Sequence, residues 1–115
     1  MLLLLKTLLF SNLFLASVMS AHADTLRGKV VADVRCGPCH HLNSKHIKVG
    51  PSLAGIYGQA PTITGMPFDV WDDISLDAWM MNPRRVKANT KMVMTPITER
   101  DRKDIIAWLK SQASQ

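Results

Sequence analysis

The chain has 115 residues, 14 Lys and Arg against 9 Asp and Glu, and a net charge of +5, enough for a single domain. The basic excess is small and the aromatic share is 6%, so the pattern of clustered charge and stacking rings that nucleic-acid binding needs is missing. Two cysteines, Cys36 and Cys39, stand two residues apart. A disulfide between them would close a tiny loop, so a stapled mini-protein is excluded as well.

Residues 2–18 are almost wholly apolar, with Lys6 the single charge among them. Ala21-His22-Ala23 follows, the small-x-small pattern of a signal-peptidase site, and Asp24 comes next. The expectation is a secretory leader over 1–23, cleaved after Ala23, and a domain over 24–115. An uncleaved anchor is the competing reading, because the run approaches the ~20 residues of a membrane span. Cleavage would remove Lys6 alone, leaving 13 basic and 9 acidic residues and a net +4 on 92 residues. So short a chain has a thin core and needs a disulfide, metal or cofactor to support it.

Residues 25–34 predict a short helix whose face is Leu26, Val30, Val31 and Val34. Residues 41–59 hold Gly50, Pro51, Gly55 and Gly58 and predict an ordered loop, and 60–68 continue it. Ser75 is expected to cap a helix that runs to Asn82 and stops at Pro83. Residues 84–96 read as irregular. Thr98 is expected to cap a last helix with an apolar stripe of Ile105, Ile106, Trp108 and Leu109. No segment alternates with period two. The fold class is therefore all-α, with short helices and long loops. Loops of that length in a compact domain imply that something is packed within them.

Cys36-Gly37-Pro38-Cys39-His40 is the spacing used to attach haem covalently. Two thiols add to the vinyl groups on one porphyrin edge, and the following histidine places an imidazole nitrogen beneath the iron. A thioether is the usual sixth ligand in electron carriers. Met66, Met80, Met81, Met92 and Met94 all qualify chemically. Two other readings use the same residues: a thioredoxin-like dithiol, and a zinc site of Cys36, Cys39 and two of His40, His41 and His46. The dithiol would need several strands that the pattern lacks, and the zinc site leaves the methionines unexplained.

From Arg27 to Lys110 the chain resembles the class I c-type cytochromes. The matching features are Gly28 eight residues before Cys36, Gly50-Pro51-Ser52-Leu53, Trp71, the segment ending Asn82-Pro83, Thr90-Lys91-Met92 and the closing stretch 104–110. The resemblance implies one covalent haem c on Cys36 and Cys39 with His40 and Met92 as axial ligands. It implies the Pro51 carbonyl as acceptor for His40 and an indole N–H from Trp71 toward a haem propionate. Trp79 occupies the place of a tyrosine that touches the methionine sulfur. Ala88-Asn89 replaces Pro-Gly, with Asn89 expected to accept the left-handed backbone. Ala32 and Trp108 exchange volume across the helix crossing.

An iron filled on both axial sides argues for outer-sphere electron transfer and against an enzyme. Lys45, Lys48, Arg84, Arg85, Lys87 and Lys91 flank the expected haem edge and imply redox partners with acidic docking surfaces. The expectation is a periplasmic monomer, with no nucleic acid and no stable membrane insertion after leader cleavage. The alternative is a dedicated haem subunit of a periplasmic dehydrogenase, for example one that oxidises sulfite or an alcohol.

Overall fold

A computed structural model describes residues 22–113. The leader reading and its cleavage therefore fall mostly outside the described residues. Four helices appear: α1 (Thr25–Arg35), α2 (Asp73–Met81), α3 (Pro83–Val86) and α4 (Glu99–Ala113). Among the described residues there is no strand, so the fold is all-α as expected, and no helix is long and apolar enough to cross a membrane.

The first and last helices form the frame. Asp24 caps α1, its side chain accepting from the Arg27 N–H at 2.9 Å. The buried face of α1 is Gly28 and Ala32, not the branched residues that the periodicity selects. Leu26, Val30 and Val34 are 81%, 62% and 68% exposed, and only Val31 of the expected four packs on the core. The cause is the closeness of the crossing. A Cβ on Gly28 would lie 1.9 Å from the backbone oxygen of Asp104, so α1 meets α4 through its smallest side chains. Ala32, wholly buried, and Trp108 share that core with Ile105, Ile106 and Leu109.

Gly28→Ala is expected to destabilise the protein by about 3 kcal/mol, read as a lower denaturant midpoint. The obstacle is backbone, which has no rotamer to move to, and this outweighs alanine's helix advantage of roughly 1 kcal/mol.

Polar contacts pin the same crossing. Arg27 donates to Asp104 at 2.6 Å and to Asp101 at 2.5 Å, joining α1 to α4. Burial alone would raise the Asp104 carboxyl, but the Asp24 N–H and the Arg27 guanidinium hold it below the ordinary value.

α2 begins three residues earlier than the sequence suggests. Asp72, not Ser75, is the N-cap, and Ser75 is the third residue of the helix, closing a reciprocal box in which each side chain bonds the other's backbone N–H. Pro83 stops α2 and starts α3 as its first residue, because a missing N–H costs nothing there. The stretch read as irregular from 84 thus opens with part of a helical turn. Thr98 caps α4 as expected, its hydroxyl accepting from Asp101 N–H at 3.2 Å. Arg102 bonds Asp77 at 2.7 Å and the Ile97 carbonyl at 2.7 Å, tying α4 to α2 and to the loop before it.

Candidate functional site

The end of α1 leads straight into Cys36-Gly37-Pro38-Cys39-His40. The Cys36 N–H completes the helix on Ala32 at 2.8 Å, and Cys39 and His40 both turn back onto the Cys36 carbonyl at 3.0 and 2.9 Å. These tight turns hold the two thiols and the imidazole on one short loop. Cys36 is buried, Cys39 is exposed, and both are free.

A second segment presses against this loop. Gly50 N–H bonds the Cys39 carbonyl at 2.8 Å, and Lys48 Nζ bonds the Gly37 carbonyl at 3.0 Å. His40 Nδ1 then meets the Pro51 carbonyl at 2.6 Å, the contact implied for it. With Nδ1 donating, the tautomer is fixed and Nε2 keeps its lone pair for a metal. Gly50 makes room for the ring: a Cβ there would come within 2.4 Å of His40 Cε1. Ser52 staples the loop behind, donating to the Ser44 carbonyl and accepting from Ala54 N–H at 3.0 Å. His41 and His46 lie edge to face, 6.4 Å between ring centres.

The methionine segment is held separately. Lys87 to Thr90 is a turn closed by a 3.0 Å backbone bond. Asn89 does not adopt the left-handed conformation expected of it; among the described residues only glycines have positive φ. The turn does not require that backbone, so the loss of Pro-Gly leaves no strain. Thr90 Oγ1 accepts from the Met92 N–H at 3.2 Å. The buried Trp79 donates its indole N–H to Met92 Sδ at 3.1 Å. Met80 is buried in the core, Met94 packs against it, and Met81 is half exposed on α2.

Trp71 closes a loop. Its backbone exchanges bonds with Gly58 and Gln59 at 2.7 and 2.9 Å. Its ring stands edge to face between Phe68 at 4.7 Å and Trp79 at 5.8 Å. Leu42, Leu53, Ile56, Trp71 and Met94 pack, half-buried, against the central cluster. They offer an apolar wall beside the Cys-His loop and the Met92 segment.

One residue of the site, Arg35, has no signal in the sequence. Arg35 reaches across 60 positions to the Thr95 carbonyl at 2.6 Å and its hydroxyl at 3.0 Å, tethering the methionine segment to α1. Thr90 orders the Met92 backbone. Thr90 stands in the Thr90-Lys91-Met92 motif, whereas Arg35 carries no periodic or motif signal for its contact, and only the fold brings it to Thr95.

The donor set fits covalent haem better than its rivals. Burial pushes the Cys36 thiol up to about 11, the reverse of a reactive dithiol's lowered value. Among the described residues no three His, Cys, Asp or Glu side chains gather as a metal-holding group. One imidazole with a free nitrogen, one thioether and two closely placed thiols are a haem c set.

Comparison with known proteins agrees. The family model described as cytochrome c matches residues 25–113, and the chain belongs to the cytochrome c family. It is a class I c-type cytochrome, an electron carrier with covalent haem c. It is 35% identical over 98 residues to a cytochrome c of Euglena viridis, covering 76% of this chain and 96% of that protein. It is 32% identical over 108 residues to a cytochrome c of Theileria annulata, covering 85% and 94%. A cytochrome c2 of Pararhodospirillum photometricum is 31% identical over 107 residues, covering 75% and 95%.

Proposed function

We propose that this cytochrome carries single electrons in the periplasm as a monomer, after cleavage of the leader following Ala23, and that it is not an enzyme. Cys36 and Cys39 hold the haem through thioethers, and His40 and Met92 are the axial ligands. The observation that carries this reading is the pair of orienting bonds, His40 Nδ1 to Pro51 O and Trp79 Nε1 to Met92 Sδ. Each fixes a ligand side chain and leaves a lone pair for iron. When bound, the haem supplies an iron that takes up and releases one electron.

The protein's own part is to hold that geometry in both redox states. His40 is braced by Gly50 and Pro51. Met92 is braced by Thr90, Trp79 and the Arg35 tether of Thr95. The Trp71 indole N–H has no protein acceptor among the described residues, which supports its use toward a propionate. With His40 and Met92 both taken up in holding the haem, no protein-free position would remain for substrate.

Arg84, Arg85 and Lys91 are exposed, while Lys45, Lys48 and Lys87 bond to Ala54, Gly37 and Asn89. Together they favour an acidic redox partner. Surface charges act chiefly on association rate and are screened over ~8–10 Å at ordinary salt. The bimolecular electron-transfer rate is expected to fall as salt rises, measured by stopped-flow absorbance against an acidic partner.

The exposed line of Leu26, Val30 and Val34 on α1 favours a second reading, a haem subunit fixed to a periplasmic dehydrogenase. A salt-independent rate, with a catalytic subunit retained through purification, would select it.

A further inference from the structure

We infer that Asp104 is the seat of the mature chain's own amino terminus, so that leader cleavage completes an ion cluster between α1 and α4. This rests on the proposed cleavage after Ala23. The backbone nitrogen of Asp24 lies 2.8 Å from Asp104 Oδ1, 80 positions away in sequence. In the uncleaved chain that nitrogen is a neutral amide donor. Hydrolysis adds one water across the Ala23–Asp24 bond. Ala23 leaves with a carboxylate, and Asp24 keeps the nitrogen, which is protonated to an ammonium at neutral pH. The same atom, already aimed at Asp104, then carries a full positive charge.

The corner is built to receive it. Asp104 is 3% exposed, and its other oxygen is occupied by Arg27 at 2.6 Å. Arg27 also bonds Asp101 at 2.5 Å. Three carboxylates flank Arg27: those of Asp101 and Asp104 on α4 accept from its guanidinium, and that of Asp24, the cap of α1, accepts from its backbone N–H. The cations facing them are Arg27, bonded to two of the three, and Arg100, which acts on Asp104 through space. The cluster is short of one positive charge, and the ammonium supplies it. An ammonium at a helix N-terminus is otherwise opposed by the helix dipole. Here the opposing carboxylate comes from the neighbouring helix, so the charge strengthens the crossing on which Gly28 and Ala32 depend.

The test uses the haem-loaded exported protein. Intact mass first identifies the amino terminus, expected at Asp24. The natural form is then compared with one in which two alanines are inserted between Ala23 and Asp24. The insertion moves the ammonium away and leaves Asp24 a neutral amide. At pH 6 the insertion is expected to raise the unfolding constant about three- to tenfold, and Asp104→Asn should remove that difference. The partnered ammonium binds its proton more tightly in the folded state. Its contribution is therefore fully present below the ordinary value of about 7.7–8.0 and fades as pH rises through the folded value. The two forms should converge in alkaline solution, a comparison that stands even if Asp104→Asn does not fold. Equal stability at pH 6 with Asp24 confirmed as first residue would overturn the inference and leave cleavage standing. A mass that retains the leader, or begins elsewhere, would overturn both.

Discussion

Met92→Ala is expected to abolish the weak sulfur-to-iron band at the red end of the ferric spectrum and to lower the reduction potential. Thioether ligation raises the potential of a c-type haem, so its loss must lower it. The opened position should also bind cyanide. The segment is held at two points. Thr90 fixes the Met92 backbone, and Trp79 fixes the sulfur at 3.1 Å. Met94, two residues on, instead packs against the core. Met94→Ala should therefore keep the band, and a loss of the band in that variant alone would move the ligand by two residues. Trp79→Phe should keep the band as well, but lower the potential by less than Met92→Ala. An indole donor draws electron density from the sulfur and disfavours the ferric state; phenylalanine has no donor.

Cys36→Ala/Cys39→Ala protein is expected to lose most of its helical circular dichroism. Among the described residues the buried apolar core is small, its large side chains being Leu76, Trp79, Met80, Ile97, Ile105, Ile106, Trp108 and Leu109. Leu53, Ile56, Trp71 and Met94 are only half-buried by protein. A core that thin does not offset the conformational entropy of the long loops, and the cofactor must complete it. The reasoning parallels small metal domains that fold only with their ion. Native-like ellipticity in this variant would show that the polypeptide core suffices alone.

The parts of this fold that were legible in the sequence are those fixed by local chemistry. Proline at 83 stops one helix, Thr98 caps another, and the attachment motif brings its two thiols and imidazole together through its own turns. The closing helix shows its stripe because Ile105, Trp108 and Leu109 are both large and buried. The first helix misleads for the opposite reason. Periodicity weights bulk, while a crossing with backbone in contact selects glycine and alanine, and so Leu26, Val30 and Val34 face outward. Ser75 is legible as a capping residue but not as the third residue of the helix, because Asp72 and Ser75 are both good N-cap acceptors. Asn89 misleads because its backbone follows the turn it occupies, not the residue it replaces. The brace of Arg35 on Thr95 and the seat of Asp24 on Asp104 join residues 60 and 80 positions apart, and no local pattern announces them.

The central claim is that Cys36 and Cys39 hold haem covalently with His40 at the iron. Acid-acetone extraction of the protein from an exporting host, followed by mass spectrometry of the peptide spanning Cys36 to His40, tests it most directly. The colour is expected to stay with the polypeptide, and this peptide to carry the mass of one haem on its two cysteines. Colour passing into the solvent, with the peptide recovered at its unmodified mass, would contradict it.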